Sequence, residues 1–223
     1  MNINEKLIEA SLNGNIKEVK KCIDNGADIH TCDDLAFKYA SYNRHIEIII
    51  FLLDRGANIH ANNDYPFRKA SGFGQTEIVK LLLDRGADIH AGNDLALRWA
   101  SRNGHTETVK LLLDRGAGIH AENNYALRNA SEYGHTETVK LLLDRGADIH
   151  AENNEALRWA SYYGHTETVK VLKEHMTLLQ LKNKPITIKE ENWGIEITER
   201  FNLETVDCDE EIKELRKILN IKK

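Results

Sequence analysis

Gly104-His105-Thr106-Glu107-Thr108-Val109-Lys110-Leu111-Leu112-Leu113-Asp114-Arg115-Gly116-Ala117 recurs unchanged thirty residues later, at 134–147. The same period runs through most of the chain. Gly26, Gly56, Gly86, Gly116 and Gly146 are thirty apart, as are His30, His60, His90, His120 and His150. So are the pairs Ala10-Ser11, Ala40-Ser41, Ala70-Ser71, Ala100-Ser101, Ala130-Ser131 and Ala160-Ser161. A fixed period of this length marks a repeat architecture. It divides the chain into units 1–30, 31–60, 61–90, 91–120, 121–150 and 151–182, in which equivalent positions form columns 1 to 30.

Each unit reads as a pair of helices. Column 4 holds Asn4, Asp34, Asp64, Asp94, Asn124 and Asn154, side chains that cap helix N-termini well. Gly14, Gly74, Gly104, Gly134 and Gly164 suit the left-handed conformation that ends a helix. A second helix is expected from column 16 (Thr76, Thr106, Thr136, Thr166) to the column-26 glycine. Helices of about ten residues are marginal alone, so stacking must bury their apolar columns: 7 and 10 in the first helix, and 19, 22, 23 and 29 around the second. The expected fold is all-α, a solenoid of six helix pairs whose stability sums over units and their interfaces. Unit one reads as a cap, with Lys6, Glu18 and Lys21 on its outer face. After Lys173-Glu174-His175-Met176 the glycine stop is gone, and the last helix is expected to run through Leu178, Leu179 and Leu181 toward Asn183.

Residues 183–223 break the period. Ile186-Thr187-Ile188-Lys189 and Ile195-Glu196-Ile197-Thr198 flank a glycine-containing turn and read as a hairpin. Asp209 can cap a final helix with Ile212, Leu215, Ile218 and Leu219 on one side. This segment is expected to be a small α+β cap or tail.

The quoted stretch resembles the second-helix signature of ankyrin repeats, and the likeness covers residues 1 to about 175. The usual opening Thr-Pro-Leu-His is replaced by Leu95-Ala96-Leu97-Arg98, and the unit is three residues short of the usual ~33. The missing residues fall in the connector, so the β-hairpin finger of ordinary ankyrin units should be stunted. The short unit with Asn-Asn-x-Ala-Leu-Arg-Trp-Ala-Ser, as at 153–161, is similar to ankyrin proteins encoded by giant DNA viruses, and high Asn, Ile and Lys usage fits an AT-rich genome. The resemblance implies a protein-binding scaffold whose first helices line a concave surface.

The units differ from one another where such a surface would lie. Units five and six, over columns 1–20, differ only at columns 5, 9 and 12, which share one face of the first helix. Columns 9, 12 and 13 supply Tyr39, Tyr42, Phe73, Trp99, Arg102, Tyr133, Trp159, Tyr162 and Tyr163. Aromatic and Arg side chains anchor protein interfaces, so these nine are the candidate partner-binding residues, against the alternative that Trp99 and Trp159 are core edge. Column 8 forms a basic row, Lys38, Arg68, Arg98, Arg128 and Arg158. It reads either as a site for an acidic ligand or, preferably, as salt bridges to acids such as Glu107 or Asp114 and solvated charge. In unit two Ile46, Ile48, Ile49, Ile50 and Phe51 make the second helix apolar nearly all round, which opens a route to self-association of an otherwise monomeric chain.

Other classes of function lack a basis. The net charge of −5 disfavours nucleic acid, and no apolar run approaches the ~18 residues of a membrane span. No Walker, GxSxG, HExxH or dinucleotide motif is present, so no catalysis and no cofactor are expected. Nine of ten histidines sit in columns 15 and 30. Successive copies in a stack stand ~8–10 Å apart, too far to share a metal at ~2 Å from each nitrogen. Cys22, Cys32 and Cys208 give no disulfide framework and the N-terminus has no secretory pattern. The expected location is therefore the cytoplasm, that of the host if the source is viral. A second expectation is an adaptor that recruits machinery such as a ubiquitin ligase through 183–223, although no F-box-like pattern occurs there.

Overall fold

The structure, a computed structural model, describes residues 2–183, 189–191 and 194–196. The chain divides into two compact units, Met1–His175 and Met176–Lys223. Among the described residues twelve helices follow in pairs: α1 Ile3–Leu12 and α2 Ile16–Asp24, α3 Thr31–Tyr42 and α4 Ile46–Asp54, α5 Ala61–Gly72 and α6 Thr76–Asp84. Then come α7 Ala91–Arg102 and α8 Thr106–Asp114, α9 Ala121–Glu132 and α10 Thr136–Asp144, α11 Ala151–Tyr162 and α12 Thr166–Asn183. The second helices keep the expected bounds, and α12 runs on to Asn183 where the glycine stop is lost. Two short strands, β1 Lys189–Glu191 and β2 Gly194–Glu196, pair antiparallel with Lys189 opposite Glu196. They fall within the expected hairpin, and the helix expected after Asp209 lies outside the described residues.

Column 4 does not cap the first helix as the sequence suggested. In units two to six, columns 2–4 form a left-handed turn ahead of the right-handed helix, with φ of +51°, +55° and +54° at Asn62, Asn63 and Asp64. Such backbone costs an L-residue roughly 1–2 kcal/mol and is tolerated best by Asn, Asp and Gly. Those are the residues found at Asn62-Asn63-Asp64 and Gly92-Asn93-Asp94. The column-4 side chain reaches forward instead, to a backbone N–H twenty-four residues on. Asp34 accepts from Asn58 at 2.8 Å, Asp64 from Asp88 at 2.9 Å, Asp94 from Gly118 at 2.7 Å and Asn124 from Asp148 at 2.8 Å. Its other neighbour is the column-30 ring, as His60 Nδ1 against Asp64 at 3.1 Å. Unit one keeps an ordinary start, in which Asn2 and Glu5 form a capping box.

The basic column 8 closes the same turn from the opposite side. Arg68 donates to the carbonyls of Asn63 and Asn62 at 2.7 and 2.9 Å, Arg98 to Gly92 at 2.7 Å and Arg128 to Glu122 at 3.0 Å. Lys38 pairs with Asp33. The expected partners Glu107 and Asp114 are not the ones used, because the row faces the connector; Asp114 pairs with Arg145 on the neighbouring second helix. With this turn in place of strands, the ankyrin-type finger is reduced as anticipated.

Columns 7, 10, 19 and 22 form the core, with Leu7, Phe37, Phe67, Leu97 and Leu127 at 0–1% exposure. Burial of each such side chain contributes about 1.5–3 kcal/mol before entropy is subtracted. Columns 23 and 29 are mostly half-buried, and only Leu143 and Ile149 are fully enclosed there.

Adjacent units match one another at two further points. A Cβ at Gly14, Gly74, Gly104 or Gly134 would stand 2.4–2.6 Å from the ring of His45, His105, His135 or His165 in the next unit. His45, His135 and His165 use Nε2 to reach the column-12 carbonyl before that glycine, at 3.1, 2.8 and 2.8 Å. Where Arg44 replaces the glycine at φ +64°, Gln75 replaces the histidine. Gln75 Nε2 keeps the bond, to Tyr42 O at 3.2 Å, with no ring to collide with the Arg44 Cβ. The second match joins column 16 to column 18 of the next unit. Thr76–Thr108, Thr106–Thr138 and Thr136–Thr168 hydroxyls meet at 2.8 Å, whereas Ile16 and Ile46 are followed by Ile48 and Ile78.

Gln75→His should therefore lower stability by about 1–3 kcal/mol through overpacking against Arg44, and adding Arg44→Gly should restore most of it. Urea unfolding of the two singles and the double tests this; a neutral Gln75→His would refute the pairing.

Candidate functional site

First helices of adjacent units pack against one another more extensively than second helices do. Columns 9, 12 and 13 sit in the last turns of those first helices and at their C-caps. The nine candidate residues do not form one continuous strip there. Tyr42 and Phe73 meet edge to face at 5.3 Å between ring centroids, and both are exposed. Trp99 is half-buried on α5, where a Cβ at Gly72 would already be 3.3 Å from it. Arg102 lies over the Tyr133 ring at 5.1 Å and donates to its hydroxyl at 2.7 Å. A second group gathers at unit six, where Trp159, Tyr162 and Tyr163 contact one another with centroids 5.0–6.0 Å apart. Tyr162, at 76% exposure, stands furthest into solvent. Asn129 is buried in the same column and separates the two groups. Tyr39 is half-buried and, among the described residues, touches no other ring.

Three residues absent from the candidate set complete the central group. Lys69 places its ammonium 5.0 Å from the Trp99 ring centroid and 5.7 Å from that of Phe73. Gly72 makes room for the indole, and Asn103 donates to the Gly72 carbonyl at 2.7 Å. Together with Phe73, Trp99, Arg102 and Tyr133 these three line a depression of about 300 Å³. Tyr125 is exposed and lies beneath the guanidinium groups of Arg98 and Arg128, at 5.6 and 4.9 Å. Column 5, which carries Tyr125, was one of the varied columns, and that variation is the signal that marks it. On the outer side, Ile46 is exposed at 37% while Ile50 and Phe51 are half-covered. The Phe51 ring lies under the cations of Lys20 and Arg55, at 5.6 and 4.7 Å, so only a short apolar strip remains open on α4.

Glu155 links Arg128, over the Tyr125 ring, to Trp159 of the unit-six group. Its carboxylate accepts from Arg128 and from Trp159, and Arg158 stands 3.8 Å away. The Arg128 hydrogen bond, foremost, holds this carboxyl below the usual glutamate range, against the opposing push of burial. The ionised form is thus favoured by folding. Its stabilisation is complete above the ordinary glutamate range and is lost as the pH falls through the depressed value. Glu155→Gln should cost about 1–2 kcal/mol near neutral pH, with the gap to the parent closing as the pH falls below roughly 4. Thermal melts across pH 3–7 measure it, and a gap that does not change with pH would contradict the assignment.

The ankyrin-repeat family model matches the chain in three overlapping copies, over residues 7–93, 61–123 and 97–183. Among solved structures, an ankyrin repeat domain from Acinetobacter baumannii AYE is 27% identical with a TM-score of 0.65, over 76% of this chain and 97% of that one. The human ASB11 ankyrin repeat domain is 24% identical with a TM-score of 0.66, over 76% of this chain and 82% of that one, a likeness of fold. No curated protein matches the chain in sequence. With the family model spanning residues 7–183 and every described repeat built as a stacked helix pair, the chain belongs to the ankyrin-repeat family.

Proposed function

We propose that this chain is a protein-binding scaffold and that its partner docks on the inner face of the first helices. Ankyrin repeat domains are in general protein–protein interaction modules, and membership of the family supports that much directly. The observation that carries the choice of face is the clustering of Tyr42, Phe73, Trp99, Arg102 and Tyr133, and of Trp159, Tyr162 and Tyr163, on columns where otherwise near-identical units diverge. Rigid aromatic rings exposed in groups offer large contact area at little entropic cost on binding. In this reading residues 1–182 recognise the target as a monomer, and 183–223 form a separate cap or tail. Cys22 and Cys32, both unpaired thiols, fit the reducing cytoplasm. A viral source rests on the thirty-residue unit and its Asn-Asn-x-Ala-Leu-Arg-Trp-Ala-Ser pattern.

Affinity capture from cell lysate with quantitative mass spectrometry tests the face. The bait is the intact chain, compared with a Trp99→Ala, Tyr133→Ala, Trp159→Ala, Tyr163→Ala variant that keeps its helical circular dichroism. Loss of even one anchoring ring weakens an interface by roughly thirtyfold, so the variant should release what the parent retains. Capture of the same proteins by both would move the site elsewhere.

A further inference from the structure

The central depression differs in chemistry from the aromatic group at unit six. Two cations border it, Lys69 from α5 and Arg102 from α7. Among the described residues neither has a carboxylate within ion-pair distance. The column-8 cations on the first helices are already engaged: Lys38, Arg128 and Arg158 have acidic partners, and Arg68 and Arg98, which like Lys69 and Arg102 have no carboxylate, donate to connector carbonyls. Glu5, Glu9, Glu132 and Glu155, the acids in columns 5, 9 and 12, do not line the depression.

Lys69 is held by ring faces alone, 5.0 Å from Trp99, 5.5 Å from Tyr65 and 5.7 Å from Phe73. Ring faces attract a cation but do not neutralise it. Arg102 has one nitrogen committed to the Tyr133 hydroxyl, which fixes its guanidinium over the rim and leaves its remaining donors for another acceptor. The depression opens to solvent and its accessible lining is mostly polar, so a carboxylate brought here would be held by charge-assisted hydrogen bonds to two converging cations, an attraction that salt screens.

We propose that this depression is a carboxylate-reading subsite, which takes an Asp or Glu side chain from an extended, acidic segment of the partner protein. The inference rests on the inner-face reading given under Proposed function and adds the chemistry of the ligand. The acid bridges Lys69 and Arg102, and an apolar neighbour in the same segment lies along Phe73 and Trp99. Other cations further along the stack are already satisfied by Glu155 or by connector carbonyls, so the specificity for acid is confined to this position.

A displayed library of random twelve-residue peptides, selected on the full chain, provides the probe. The selected peptides should share one Asp or Glu. Replacing that residue by its amide should weaken binding roughly tenfold, the scale of one charge-assisted hydrogen bond. Lys69→Gln with Arg102→Gln in the protein should do the same. Arg102→Gln alone, at an exposed position where folding is not at stake, should give part of the loss. Lys80→Gln with Lys110→Gln, equal in charge but on the second helices, should have no effect, and added salt should weaken the parent interaction. Peptides without an acidic consensus, or equal losses from both pairs of substitutions, would overturn the subsite. If such peptides are nevertheless lost on Trp99→Ala, the inner-face reading survives without its acid. If they ignore Trp99→Ala as well, both readings fail. Recovery of no peptide also overturns the subsite, and the lysate experiment then decides the inner face independently.

Discussion

One hydrogen bond repeated down the stack sets the geometry of everything else. A short carboxylate or amide in column 4 spans from the left-handed turn at the start of a unit to a backbone N–H at its end, as Asp64 does to Asp88. It joins the two ends of each helix pair and fixes the connector against the next first helix. Removal of the acceptor would leave the buried end of that bond unsatisfied, at about 1–3 kcal/mol. It would also leave three left-handed residues to bear their own strain. In units two to five this turn is held from one side by column 4 and from the other by column 8, so those first helices begin from the same connector.

Most of the scaffold was legible in the chain. The thirty-residue period, the glycine stops and the bounds of the second helices follow from local chemistry, and α12 extends where the glycine disappears. The connector was misread for a physical reason. Asn and Asp serve both as helix caps and as left-handed residues, and composition alone does not separate the two uses. The basic column was legible in part: Lys38, Arg128 and Arg158 do pair with acids, namely Asp33 and Glu155, but an arginine that donates to carbonyls of its own unit, as Arg68 and Arg98 do, has the same sequence pattern. The varied columns were legible as a set. Its division into two groups was not, since that depends on Gly72 admitting the Trp99 ring and on Asn129 folding into the core.

The same framework explains how an array of nearly identical units can present a non-repeating surface. Core columns hardly change, so the interfaces between units are similar from one junction to the next. Side chains in columns 9, 12 and 13 are mostly exposed or half-buried, Gly72 and Asn129 excepted, and are freer to differ. Unit three contributes a cation and Phe73, unit four an indole and Arg102, unit five a phenol, and unit six three rings in contact. A ligand spanning several units meets a different chemical group about every helix-packing distance, ~8–10 Å.

The matched junctions also determine how such a gene can change length. A copy of unit five inserted after itself would place Gly134 against a histidine and Thr136 against a threonine, so the array could grow there by simple duplication. Loss of unit three would bring Arg44 against His105 and Ile46 against the buried Thr108 hydroxyl, leaving a steric conflict and an unpaired polar group at one seam. At their seams units four and five are interchangeable parts, whereas unit two has to be followed by unit three.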